Sequence, residues 1–186
     1  MTWRNERTLY KRKCDVPGHT EEIISVFSKD KPFKVYDREY WWSDACDSIS
    51  SGCDYDFSKP FFAQYRELME QVPLLGLFSG NATNSDYANH AFDSKNSYLI
   101  SAAYINENVM YSNKTTSNKD SVDLYLAEKM EACYEDVNCG TSYRLFFSYG
   151  CEDCQNSWFL YDCRNCSDCF GCVGLRNKSH YIFNQP

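Results

Sequence analysis

Two rhythms of apolar and polar positions run along this chain. From about Asn84 onward, short aromatic or aliphatic stretches recur between polar turns: Tyr98-Leu99-Ile100, Val109-Met110-Tyr111, Leu124-Tyr125, Leu145-Phe146-Phe147, Trp158-Phe159-Leu160 and Tyr181-Ile182-Phe183. The stretches recur about every 11–12 residues, which is too short for a helix pair and suits strand-plus-turn units. Two such units per coil predict a right-handed β-solenoid of about 23 residues per turn. A meandering antiparallel sheet is the alternative. Asn and Ser often precede the stretches, and Asn81, Asn113, Asn165 and Asn177, which match a glycosylation pattern, read as turn asparagines. His90 and His180 read as hydrogen-bonded turn histidines.

Before residue 84 the pattern is mixed. Residues 21–28 (EEIISVFS) read as a strand, and Phe33–Tyr36 as a second that completes a hairpin. Pro17-Gly18 marks a turn. Asp37 is an N-cap for one helical turn carrying Tyr40, Trp41 and Trp42. Residues 59–72 form the clearest helix, capped by Ser58, opened by Pro60 and ended by Pro73. Its stripe of Phe61, Tyr65, Leu68 and Val72, widened by Phe62 and Met69, calls for an apolar partner, and a solenoid end is the natural one. The expected architecture is mainly β: a small α+β lobe with its capping helix over residues 1–83, then the repeat over 84–186.

Eight of the eleven cysteines fall between Cys133 and Cys172. The last four, Cys163, Cys166, Cys169 and Cys172, keep a strict spacing of three. Four chemistries fit. Zinc would take Cys151 and Cys154 with Cys163 and Cys166, which leaves room between the two knuckles. Cys169 and Cys172 extend the candidate metal set. An iron–sulfur cluster fits less well, because the run lacks the three-residue gap and the proline of the ferredoxin motif. Disulfides suit an oxidising compartment, yet no apolar leader opens the sequence, and a cytoplasmic location is expected. The fourth reading is a ladder of packed free thiols. Residues three apart on a plain strand face opposite sides. Either the chain bends at every step, as Asn165, Asp168 and Gly171 favour, or alternate cysteines face out.

Charge refines this picture. The net charge is −7, and residues 1–13 carry +4 of it through Arg4, Arg7, Lys11, Arg12 and Lys13 against Glu6, so the rest of the chain stands at −11. Any nucleic-acid contact belongs to that basic arm, where Trp3 and Tyr10 lie among the cations. No apolar run reaches the length of a membrane span, so no membrane partner is expected.

Several phrases carry a family resemblance: Trp3-Arg4-Asn5-Glu6-Arg7, Lys31-Pro32-Phe33-Lys34-Val35-Tyr36-Asp37, Trp41-Trp42-Ser43-Asp44, and Gly174-Leu175-Arg176-Asn177-Lys178 with Tyr181-Ile182-Phe183-Asn184. Over nearly its whole length the chain resembles an uncharacterised family of cysteine-rich bacterial proteins. The resemblance implies an N-terminal zinc ribbon, which is not found in this chain, ahead of a repetitive cysteine- and aromatic-rich region. It implies no activity.

No nucleophile–base set stands out. The expected function is therefore a non-enzymatic binding or scaffold protein, since solenoids offer long flat faces to a protein or nucleic-acid partner, or to a second copy through an edge or end. The alternatives are a zinc protein using the Cys151–Cys172 thiolates and a nucleic-acid binder using the arm. The expected cofactor is none or zinc.

Overall fold

The computed structural model describes residues 8–186. They form two compact units, Thr8–Phe78 and Ser79–Pro186.

In the first unit, β1 (Tyr10–Lys13) pairs antiparallel with β2 (Glu22–Ser25), Tyr10 opposite Ser25 and Lys13 opposite Glu22. The hairpin thus joins residues 10–13 to 22–25, not 21–28 to 33–36 as the pattern suggested. Asp15 is the reason. Its amide donates to the Val35 carbonyl (2.9 Å), and its carboxylate accepts the Val35 N–H (2.8 Å). This diverts β3 (Val35–Tyr36) from β2, and β3 pairs in parallel with β4 (Leu74–Leu75). The helical turn α1 (Arg38–Trp41) is capped as expected, Asp37 Oδ1 accepting the Tyr40 N–H at 2.8 Å. Helix α2 (Phe61–Gln71) starts after Pro60 with no side-chain cap, while Ser58 bonds to Asp56 instead. None of its residues is buried, and Phe61, Phe62, Tyr65 and Met69 are all exposed.

The second unit is a parallel β-solenoid. Its short strands are β5 (Ser79–Gly80), β6 (Asn89–Phe92), β7 (Ser101–Tyr104), β8 (Glu107–Met110), β9 (Asn113–Thr116), β10 (Lys119–Val122), β11 (Tyr125–Glu128), β12 (Tyr143–Phe146) and β13 (Gln155–Trp158). Each pairs in parallel with the segment 12 residues away: Asn89 with Ser101, Ser101 with Asn113, Asn113 with Tyr125. Isolated bridges carry the same register on to Phe170 and Ile182. One coil is therefore 12 residues long, about half the length expected from two units per turn.

The short coil has a local cause. From His90 to Phe183 every third residue has a positive φ, near +50° in most cases, including Asn96, Asn108, Asp120, Asn165 and Asp168 and glycines 150, 171 and 174. Each such residue is a corner. Four sides of three residues close one coil, and the triplet reads inward, outward, corner. Every inward position from Ser85 to Cys172 is buried. A non-glycine residue in the left-handed region costs about 1–2 kcal/mol. Corner N–H groups offset this by bonding the preceding coil, as Asn138 does to the Tyr125 carbonyl at 2.9 Å.

The narrow bore favours small side chains, and Ser, Ala and Cys alternate with a few larger ones such as Ile100, Leu124, Met130, Leu145 and Leu160. Hydrogen bonding selects among the small ones. Outward N–H groups reach inward carbonyls of the next coil, as Tyr125 does to Asp136 at 3.1 Å. The inward residue's own N–H is instead met by the side chain one coil earlier: Leu124 donates to Ser112 Oγ (3.0 Å), Met130 to Asn118 Oδ1 (2.8 Å) and Leu160 to Ser148 Oγ (3.1 Å). A buried N–H needs such a partner. This explains why a packed interior carries so much Ser, Asn and Cys.

Of the four turn asparagines, Asn81, Asn165 and Asn177 are corners, whereas Asn113 lies buried in β9. His90 and His180 are both corners, and His180 Nδ1 lies 4.0 Å from Asp168 Oδ2.

Candidate functional site

Cys151, Cys154, Cys163, Cys166, Cys169 and Cys172 all occupy inward positions and are buried, as are Cys133 and Cys139. The chain does bend at every step of the Cys163–Cys172 run, through the corners Asn165, Asp168 and Gly171. The same bending runs through coils whose interior holds Ser and Ala, so it belongs to the fold and not to a metal.

Each of these eight thiols lies within hydrogen-bond reach of the carbonyl two residues back, for example Cys133 to Glu131 (3.2 Å), Cys166 to Arg164 (3.3 Å) and Cys169 to Ser167 (3.2 Å). Inward serines make the same contact, Ser121 to Lys119 at 2.7 Å and Ser157 to Gln155 at 2.7 Å. Burial pushes the Cys133 thiol up to about 12 and raises Cys163, Cys166 and Cys169 as well. Cys151 is pushed up to about 12, first through its contact with Cys139. Cys154 is raised first through its contact with Cys151, then by burial. Burial and thiol–thiol contact thus favour the neutral thiol over the thiolate at these six positions.

The outer surface of the same coils is aromatic. Stacked pairs one coil apart occur at Phe146–Trp158 (5.4 Å, 11°), at the corner Phe147–Phe159 (5.2 Å, 10°) and on the next side at Tyr149–Tyr161 (5.4 Å, 13°). Trp158 is 40%, Phe159 50% and Tyr161 55% exposed. The outward column through Phe146 and Trp158 is apolar at every coil from Tyr98 to Ile182. The 12-residue register is what stacks these rings, and each ring pair contributes about 0.5–1.5 kcal/mol beyond its area.

In the first unit three donor atoms converge. Cys14 Sγ lies 3.2 Å from Asp37 Oδ2, His19 Nδ1 lies 3.0 Å from the same oxygen, and Cys14 Sγ and His19 Nδ1 are 3.9 Å apart. Among the described residues this is the one group of three potential metal ligands whose donor atoms all lie within 4.8 Å of one another. The solenoid thiols do not gather in this way. Cys14 ends up beside β1, His19 follows the Pro17-Gly18 turn and Asp37 caps α1. The Asp37 N–H donates to Cys14 Sγ at 3.3 Å. Burial raises the Cys14 thiol. Burial also pushes Asp37 upward, but hydrogen bonds from Tyr40 N–H, Cys14 and His19 outweigh it and hold the carboxyl low. Sequence reasoning took Asp37 only as a cap and passed over His19. The available signal was Cys14 five residues before His19, with a Pro-Gly turn between them.

The basic arm is only partly described. Arg4 and Arg7 lie outside the described residues. Lys11 and Lys13 are exposed on β1. Arg12 is turned inward: it is 8% exposed and holds Asp15 Oδ2 at 2.7 Å together with the Ser28 and Phe33 carbonyls. It serves the fold of the first unit.

No helix among the described residues is long and apolar enough to cross a membrane. Compared with known proteins, the chain matches no family model and no curated protein.

Proposed function

We propose that this protein is a non-enzymatic binding or scaffold protein whose contact surface is the aromatic side of its solenoid. The observation that supports the reading is the set of three stacked ring pairs around the Phe147–Phe159 corner, left open to solvent. A contiguous exposed apolar surface marks an interaction site, and Trp and Tyr are enriched at such sites. The rings are held by main-chain register, so binding orders few side chains, and preorganised surfaces lose less free energy on association. The buried, carbonyl-bonded thiols beneath fit a structural role and not a nucleophilic one.

The test replaces Phe159 and Tyr161 by Ser. Both side chains are exposed corner or outward residues, so the coil persists, which circular dichroism checks. Immobilised wild-type and variant protein are compared for retention of components from an extract of the producing cell. Retention lost in the variant supports the reading. Equal retention, or cysteine-dependent turnover of any substrate, contradicts it.

A further inference from the structure

We propose that Cys14, His19 and Asp37 form a zinc site that clips the β1–β2 hairpin to the start of α1. The donor set is chemically complete for a three-ligand centre: one thiolate, one imidazole nitrogen and one carboxylate oxygen. Zinc–ligand lengths of about 2.0–2.3 Å in tetrahedral geometry put such donors about 3.3–3.6 Å apart. The observed separations of 3.0, 3.2 and 3.9 Å bracket that range.

The arrangement fits a metal better than a catalytic triad. In a triad the imidazole uses one nitrogen toward the carboxylate and the other toward the nucleophile. Here Nδ1 faces both Asp37 Oδ2 and Cys14 Sγ, so all three groups point at a single region. Charge also balances, since a thiolate and a carboxylate neutralise a divalent ion.

The outer partners are in place. The Asp37 amide donates to Cys14 Sγ, as amides do to sulfur in zinc knuckles. The other carboxylate oxygen, Oδ1, is fixed by the Tyr40 N–H. The His19 ring is held edge-on by Tyr40, with centroids 5.6 Å apart. Partners of this kind orient ligands and sustain affinity. Binding releases the thiol proton and leaves a fourth position for water.

The experiment titrates the full chain, stripped of metal and kept reduced, with cobalt(II), followed by displacement with zinc. The expected result is one equivalent of tetrahedral cobalt with a thiolate charge-transfer band, reversed by zinc. Cys14→Ser abolishes the band, and His19→Gln and Asp37→Asn weaken binding by more than about the 10–100-fold typical of an outer partner. Asp37→Asn keeps an oxygen to cap α1, so loss of binding there is separable from loss of fold. Cys151→Ser leaves the band unchanged. The proposal is overturned if the wild-type chain gives no thiolate–cobalt band, or if the band survives Cys14→Ser and disappears with Cys151→Ser.

Discussion

The amide of Cys151 donates to the sulfur of Cys139, one coil earlier, at 3.4 Å, and the amide of Cys154 donates in the same way to the hydroxyl of Ser142 at 3.1 Å. Cysteine and serine are thus doing the same work in this interior. Each receives the otherwise orphaned inward N–H of the next coil and offers its own proton to a carbonyl two residues back.

The acceptor is therefore worth more than its size suggests. Ser142→Ala leaves the buried Cys154 N–H without its acceptor, and an unsatisfied buried group costs about 1–3 kcal/mol. Ser142→Cys keeps an acceptor and loses much less. Denaturant unfolding midpoints of the two variants check the difference. Equal losses would mean that volume, not hydrogen bonding, governs the position.

Alkali destabilises the solenoid through its thiols. Burial pushes the Cys133 thiol up to about 12 in the folded chain, from the 9.0 of a free thiol. A group raised in this way contributes its stability in full below the free thiol's value and loses it as pH climbs toward the folded value. Unfolding midpoints fall from about pH 9 upward, and Cys133→Ser, with no thiol to ionise there, falls less steeply over the same range. Parallel curves for the two proteins would contradict the assignment.

The sequence foretold the mainly β solenoid, the Asp37 cap and the position of the main helix, because hydrophobic recurrence, capping chemistry and proline each act locally. The 12-residue coil departs from the expected length of about 23 for a physical reason. Period-two strand logic makes residues three apart face opposite sides, and that holds only while backbone φ stays negative. Left-handed corners at residues such as Leu99, Ile105 and Phe159, where no Gly or Asn announces them, restore every third side chain to the same side. The buried residues Ser121, Leu124, Ala127, Met130 and Cys133 show the inward period of three in the sequence itself, and Ser121, Cys133, Leu145 and Ser157 the coil repeat of twelve. The Cys14–His19–Asp37 cluster was hidden because β3 is carried to Cys14 by the amide and carboxylate of Asp15, both bonded to the Val35 main chain, which no local pattern encodes.

Corner chemistry gives a gain-of-stability test. Ile105 is a β-branched residue at φ 50° and is about half exposed. Asn tolerates the left-handed region better, so Ile105→Asn stabilises the chain by about 1 kcal/mol. Thermal unfolding measures it. Clear destabilisation would count against a corner at that position.

Glycine at a crowded corner gives the opposite sign. A Cβ on Gly171 would lie 2.8 Å from Cε1 of Phe183, at φ +64°. Gly171→Ala destabilises the last coils and displaces the Phe183 ring. Hydrogen exchange of the Phe170 and Ile182 amides speeds up if this is right and is unchanged if it is not.

Arg12 separates structure from nucleic-acid binding. Arg12→Gln removes the ion pair to Asp15 and destabilises the first unit, whereas Lys11→Gln and Lys13→Gln, on the exposed side of β1, change stability within about 0.5 kcal/mol. Unfolding curves of the three variants decide it. A large loss at either lysine would contradict the placement of β1.

The eight solenoid cysteines from Cys133 to Cys172 are buried, each with its sulfur within reach of a main-chain carbonyl. Timed labelling with a thiol reagent, read by mass spectrometry on the native chain and again after unfolding, tests it most directly. The account predicts prompt native labelling at exposed Cys53 and slower labelling at half-buried Cys46, with Cys133 to Cys172 silent until unfolding. Prompt native labelling within Cys151–Cys172, or zinc released in step with it, would contradict the account.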